Sequence, residues 1–184
     1  SDYKRLKSPG GPGGDYSIYK NFTFDLGGSV REQLEVLAEK YHTGLKHLCF
    51  AAFLYMLNMF SYEPDITAGL VTHNRPETED GEKILGCFLN TLPFRLKIPS
   101  GAAWSDYIRL VDKEMVRLKK YEKLSLLEIV KIVEEPVETG NPFFDVVFNL
   151  VDFFVYGDLA GPEVELDEKD RLDLASFART NFLM

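Results

Sequence analysis

The sequence predicts an α/β domain in which helices cover a sheet, on three observations. Apolar residues recur at three- and four-residue spacing over 29–41, 45–60, 105–120 and 124–133, as amphipathic helices require. Short apolar or alternating runs at 16–25, 66–72, 90–98 and 143–154 read as strands. With 184 residues, 45% apolar residues, 14 Phe and 9 Tyr, the chain is long enough to bury one sizeable core.

Taken in order, residues 1–17 hold Lys4, Arg5 and Lys7 and then Pro9-Gly10-Gly11-Pro12-Gly13-Gly14, which predicts a linker. Tyr16 to Asp25 interleaves Tyr19, Phe22 and Phe24 with polar residues, predicting a strand that ends at Gly27-Gly28. Ser29 with Glu32 spells a capping box, and Val30, Leu34, Leu37 and Ala38 form one stripe of a helix stopping near Tyr41. Thr43 is placed to cap the next helix. Its wide apolar face is Leu45, Leu48, Cys49, Ala52, Phe53, Met56, Leu57 and Phe60.

Glu63-Pro64-Asp65 predicts a turn, and 66–72 a buried strand. His73 to Glu82 reads as an exposed loop, a common site of function. From Ser105 a long helix carries Tyr107, Ile108, Val111, Met115 and Leu118, with Arg117, Lys119 and Lys120 at a solvated end favoured by the helix dipole. A shorter helix follows over 124–133, stopped before Pro136. Gly140-Asn141-Pro142 predicts a turn, 143–154 a buried strand, 158–173 an acidic loop, and 177–184 the beginning of another strand. That last strand lacks a turn or cap, so the chain is expected to be cut rather than finished.

Charge and cysteine usage narrow the classes. A net charge of −8 without a long basic cluster argues against nucleic acid, which binds through Lys and Arg on its phosphates. No run is apolar enough to span a membrane, and no signal peptide opens the chain. Cys49 and Cys87 form no CxxC pair and are expected as buried thiols rather than metal ligands. Together these features predict a cytoplasmic protein with no membrane contact. His42 and His47 flank a helix start, but neither adjoins a second histidine or a patterned acidic partner, which is weak ground for chemistry.

The stretch Ile84-Leu85-Gly86-Cys87-Phe88-Leu89-Asn90-Thr91-Leu92-Pro93-Phe94-Arg95 organises the rest. It reads as buried, and a buried Asn90 and Arg95 would need hydrogen-bond and carboxylate partners. A core strand with a polar cap is the plain reading. The stretch also resembles the Ile-Gly-x-Phe-x-Asn-Thr-Leu-x-x-Arg motif of condensation domains in nonribosomal peptide synthetases. Gly86, Phe88, Asn90, Thr91, Leu92 and Arg95 stand at the family's spacing. Gly69 and Arg75 match its Gly-x-x-x-x-x-Arg-Pro-Glu passage. Asn141, Pro142, Phe144, Val146 and Phe148 match Arg-Asn-Pro-Leu-Phe-x-Val-x-Phe. Two departures are Gly140, where the family has arginine, and Tyr121 to Leu127, where it has His-Gln-Asp-Leu-Pro-Phe-Glu.

The resemblance implies a chloramphenicol acetyltransferase-like subdomain, a mixed sheet covered by helices. On it, 18–184 is the C-terminal lobe of a condensation domain and 1–17 a linker from a missing N-terminal lobe. The whole domain would form amide bonds between aminoacyl or peptidyl thioesters on carrier proteins. Tunnel-lining and motif-supporting residues would be Gly86, Phe88, Asn90, Thr91 and Arg95, with Arg75 on a loop near the tunnel. The family's catalytic histidine lies in His-His-x-x-x-Asp-Gly. This chain has no adjacent histidine pair, so no catalytic residue is assigned and the fragment alone is expected to be inactive. Implied partners are the N-terminal lobe, upstream and downstream peptidyl carrier proteins and a neighbouring adenylation domain. No cofactor is expected on this chain; the carriers' phosphopantetheine arms would enter as substrates. Two other readings stay open: a degenerate, non-catalytic carrier-docking module, and an unrelated α/β domain whose aromatic strands are core.

Overall fold

A computed structural model describes residues 22–76, 78–133 and 142–150. Helix α1 is Gly28–Lys40, α2 Leu45–Ser61, α3 Trp104–Lys119 and α4 Leu126–Val133. Strands β1 (Asp65–His73), β2 (Leu89–Lys97) and β3 (Val147–Phe148) form one sheet in the order β2-β1-β3. β1 pairs antiparallel with β2, from Asp65 opposite Lys97 to His73 opposite Leu89. It pairs parallel with β3 through Gly69–Val147 and Leu70–Phe148. The sheet is therefore mixed, as the α/β expectation requires.

The two faces of the sheet differ. Ile66, Ala68 and Leu70 of β1 join Phe94 and Leu96 of β2 in the main core, covered by α2 and α3. Phe50 of α2 lies at its centre, 4.9 Å from the Phe94 ring and 5.0 Å from Phe148. On the opposite face Phe144 presses on Gly69 so closely that an added Cβ would come within 2.5 Å of the ring. Thr67 and Gly69 on that face belong to a run, Ile66 to Leu70, that is buried throughout, as befits a strand covered on both sides. β2 instead alternates, with Leu92, Phe94 and Leu96 buried and Arg95 and Lys97 exposed, as befits a strand with one face toward water, and among the described residues it lies at the edge of the sheet.

Several expectations are corrected. Of the 16–25 strand, residues 22–25 are not strand, Phe22 and Phe24 being exposed with ring centroids 5.8 Å apart, and 16–21 lie outside the described residues. α1 has no Ser29–Glu32 capping box; the chain turns at Gly27, with φ +73°, and the Gly27 N–H donates to Asp25 Oδ1. Gly44, not Thr43, precedes α2, and Thr43 turns its hydroxyl to α3. The buried face of α2 is Leu48, Phe50, Ala51, Leu54 and Leu57, while Ala52, Met56 and Phe60 point outward. A helix that is apolar all round gives the periodicity little contrast. A capping box stands instead before α4, where the Ser125 N–H donates to Glu128 Oε2 at 2.8 Å and the Glu128 N–H to Ser125 Oγ at 3.2 Å.

Of the 143–154 strand, Val147–Phe148 is strand; 151–154 lie outside the described residues, as do 1–17, Pro136, Gly140 and Asn141 of the expected turn, 158–173 and 177–184. Among the described residues no helix is long and apolar enough to cross a membrane.

Candidate functional site

The motif residues gather at one end and one edge of the sheet. Leading into β2, Ile84 to Leu89 is not buried as expected: Leu85 is 98% exposed, and Cys87 is exposed too. The stretch is held as a loop rather than packed as a core strand. Arg75 donates from Nη1 to the Gly81 carbonyl at 3.0 Å and the Ile84 carbonyl at 2.7 Å. Its guanidinium also stacks 4.5 Å from the centre of the Phe88 ring. The Asn74 N–H closes the loop's base on the Phe88 carbonyl at 2.7 Å. Gly86 takes φ +153°, a backbone setting that favours glycine.

Alternation along β2 divides the motif. Asn90 shares the side of Leu92 and Phe94, toward the helices, whereas Thr91 and Arg95 share the other. The Asn90 amide donates to the Glu122 carbonyl at 2.9 Å and the Leu124 carbonyl at 2.6 Å, while its Oδ1 accepts from the Thr91 N–H at 3.0 Å. Asn74 donates to the same Glu122 carbonyl at 2.5 Å. Beside them Lys46 reaches from α2 to the Val71 carbonyl at 2.9 Å. Partial burial pushes the Lys46 ammonium below its ordinary value, and the Glu122 charge opposes this.

On the other face Arg95 grips Asp65, Nε to Oδ1 at 2.9 Å and Nη2 to Oδ2 at 2.7 Å. Hydrogen bonding by Arg95 holds the Asp65 carboxyl below its ordinary value. The Thr67 hydroxyl, opposite Arg95 in the ladder, is buried and has no hydrogen-bond partner among the described residues.

Sequence reasoning missed one constellation. His47 Nδ1 lies 2.6 Å from Asp112 Oδ1, and the Thr43 hydroxyl donates to the same oxygen at 2.7 Å. His47 therefore has an acidic partner, supplied by α3 rather than by neighbouring sequence. Partial burial raises the Asp112 carboxyl, but the Thr43 and His47 bonds outweigh it, leaving the group below its ordinary value. Cys49 is half-buried, and burial pushes its thiol up. Among the described residues no group of three or more His, Cys, Asp and Glu could hold a metal ion.

Helices over a mixed sheet, with this motif entering one of its strands, define an α/β fold that solved condensation domains share. The condensation domain from the Monacolin K polyketide synthase MokA superposes with a TM-score of 0.61, at 19% identity, over 67% of this chain and 29% of that one. A four-domain nonribosomal peptide synthetase bound to AMP and glycine gives 0.59, at 23% identity, over 65% and 9%. Tyrocidine synthase 3 of Brevibacillus parabrevis is 32% identical over 130 residues, 70% of this chain and 2% of that protein. The family model for the condensation domain matches residues 13–178, and the chain belongs to that family. It thus spans only a small part of the curated relatives it matches.

Proposed function

We propose that this chain is the C-terminal lobe of a nonribosomal peptide synthetase condensation domain, supplying one wall of the tunnel in which an amide bond forms. The observation that carries the reading is the ordered motif from Gly86 to Arg95, entering β2 and braced by Arg75, within a chain of this family. The reaction joins an acceptor amine to a donor thioester carbonyl. The C–N bond forms, the C–S bond breaks, the thiol leaves on its phosphopantetheine arm, and the amine loses a proton. Such a step needs the reactants held in register and a polar group to manage the proton.

Gly86, Phe88 and Thr91, with the Arg75 loop, would shape the wall, and Arg95 would face the lobe opposite. The catalytic histidine would come from an N-terminal lobe carrying His-His-x-x-x-Asp-Gly, since His42, His47 and His73 stand apart in this sequence. Carrier proteins on either side and an adenylation domain would be its partners, and the cytoplasm its place.

Combining the chain with such a lobe and with aminoacyl-loaded carrier proteins should yield a dipeptidyl thioester, and the chain alone none. Failure of the combination, with correct loading and stable association, overturns the reading. It would favour the second reading, a non-catalytic docking module, to which the exposed Ile84, Leu85 and Leu89 lend support.

A further inference from the structure

We infer that Asn74 and Asn90 act together as positioning residues, pinning the turn between α3 and α4 to the end of the sheet, and that Asn90 does not contact substrate. The inference rests on the condensation reading for its functional consequence and on geometry for the rest. A carboxamide offers two donors and two acceptor sites. Both Asn90 donors go to the Glu122 and Leu124 carbonyls, and its Oδ1 takes the Thr91 N–H, so one acceptor lone pair remains. The side chain also faces the helices, on the side of the sheet away from Arg95.

Asn74, which the motif does not include, supplies the other half. It follows β1 directly, and its backbone N–H on Phe88 fixes where its side chain starts. Its amide then reaches the Glu122 carbonyl already used by Asn90, so two asparagines from neighbouring strand ends fill the two lone pairs of one oxygen. The carbonyls just beyond a helix C-terminus have no partner within the helix, and here the two side chains provide one. Asn74 thereby ties three parts together: the end of β1, the Arg75 loop that places Phe88, and the turn that launches α4. A shift in the turn is passed to the loop through one side chain.

The experiment compares Asn74→Ala, Asn90→Ala and the double variant by two readouts. The first is backbone hydrogen exchange at residues 121–129 of this chain. Asn74→Ala, which loses one bond to the turn, should exchange roughly tenfold faster there, Asn90→Ala, which loses two, at least as fast, and the double variant little faster than the worse single. The second is turnover with the catalytic lobe and loaded carriers. Both single variants should lose roughly tenfold in kcat with the KM for the loaded acceptor unchanged, as misplacement predicts. Normal exchange and normal kcat in Asn74→Ala overturn the inference. So does a raised KM in Asn90→Ala with unchanged exchange, which is the mark of a substrate contact. If the wild-type assembly makes no amide bond, the condensation reading fails while the exchange data still decide the pin. Should either alanine variant not fold, the serine variant at that position carries the same comparison.

Discussion

Asp65 and Arg95 are diagonal neighbours across the β1–β2 ladder, joined by two parallel bonds of 2.9 and 2.7 Å on the face away from α2. The fork of the guanidinium matches the carboxylate, so the geometry is good. The setting is not: Arg95 is 50% and Asp65 40% exposed, and water screens such a pair. Arg95→Ala should therefore cost about 0–1 kcal/mol in urea unfolding of this chain. The folded carboxyl of Asp65 lies below its unfolded value, so this contribution is present above that value and fades as pH falls through the folded one. A loss of several kcal/mol would mean that Arg95 serves as a core residue.

The Thr43–His47–Asp112 clasp joins the start of α2 to the middle of α3 in a part-buried position. Asp112→Ala removes the acceptor of two bonds and should lower stability by about 1–3 kcal/mol. Asp112 is also held below its ordinary value, so its contribution is complete above the unfolded carboxyl range and lost in acid. Thermal unfolding at pH 7 and near pH 3 tests this. The gap between parent and variant should shrink at the lower pH, and a constant gap refutes the assignment.

Gly69 is required by packing, because its missing side chain makes room for the Phe144 ring. Gly69→Ala should cost roughly 1–3 kcal/mol through the forced shift of that ring. Adding Phe144→Leu should make the Gly69→Ala penalty smaller than it is in the parent. Equal penalties in the two backgrounds would show that the ring is not the obstacle.

Trp104, the chain's only tryptophan, stands 4.7 Å from the Tyr55 ring and 5.7 Å from Tyr107, where α3 begins against α2. Tyr107 is itself anchored by its hydroxyl on the Ala51 carbonyl at 2.7 Å. Tryptophan emission should follow the docking of these helices during unfolding. Tyr55→Ala should red-shift the folded emission and cost about 0.5–1.5 kcal/mol beyond lost area. An unchanged spectrum would place the indole elsewhere.

What the sequence reveals of the fold depends on contrast. β1 and β2 are legible because turns bound them and apolar residues fill one face, and α3 because charged and apolar residues alternate at helical spacing. The face of α2 is not legible, since Ala51 and Ala52 differ in burial but not in kind. For the candidate site, the motif names Asn90, but its acceptors are backbone carbonyls at Glu122 and Leu124, which any sequence possesses. Asp112 on an amphipathic helix reads as solvated, and its partner His47 is 65 residues away. Sequence reasoning missed the cap before α4, although Ser125 with Glu128 has the spacing of a capping box.

The order of the sheet has a consequence for how the chain assembles. β1 meets β2 across one intervening loop, but it meets β3 only after α3 and α4 have been made, through residues as distant as Gly69 and Val147. Loop-closure entropy rises with the length enclosed, so the antiparallel pair can nucleate while the parallel one waits. β3 is also only two residues long and gives little back for that closure. Folding should therefore proceed from a β1–β2 ribbon clothed by α2 and α3, with the Phe144–Phe148 segment docking last and being the first to detach.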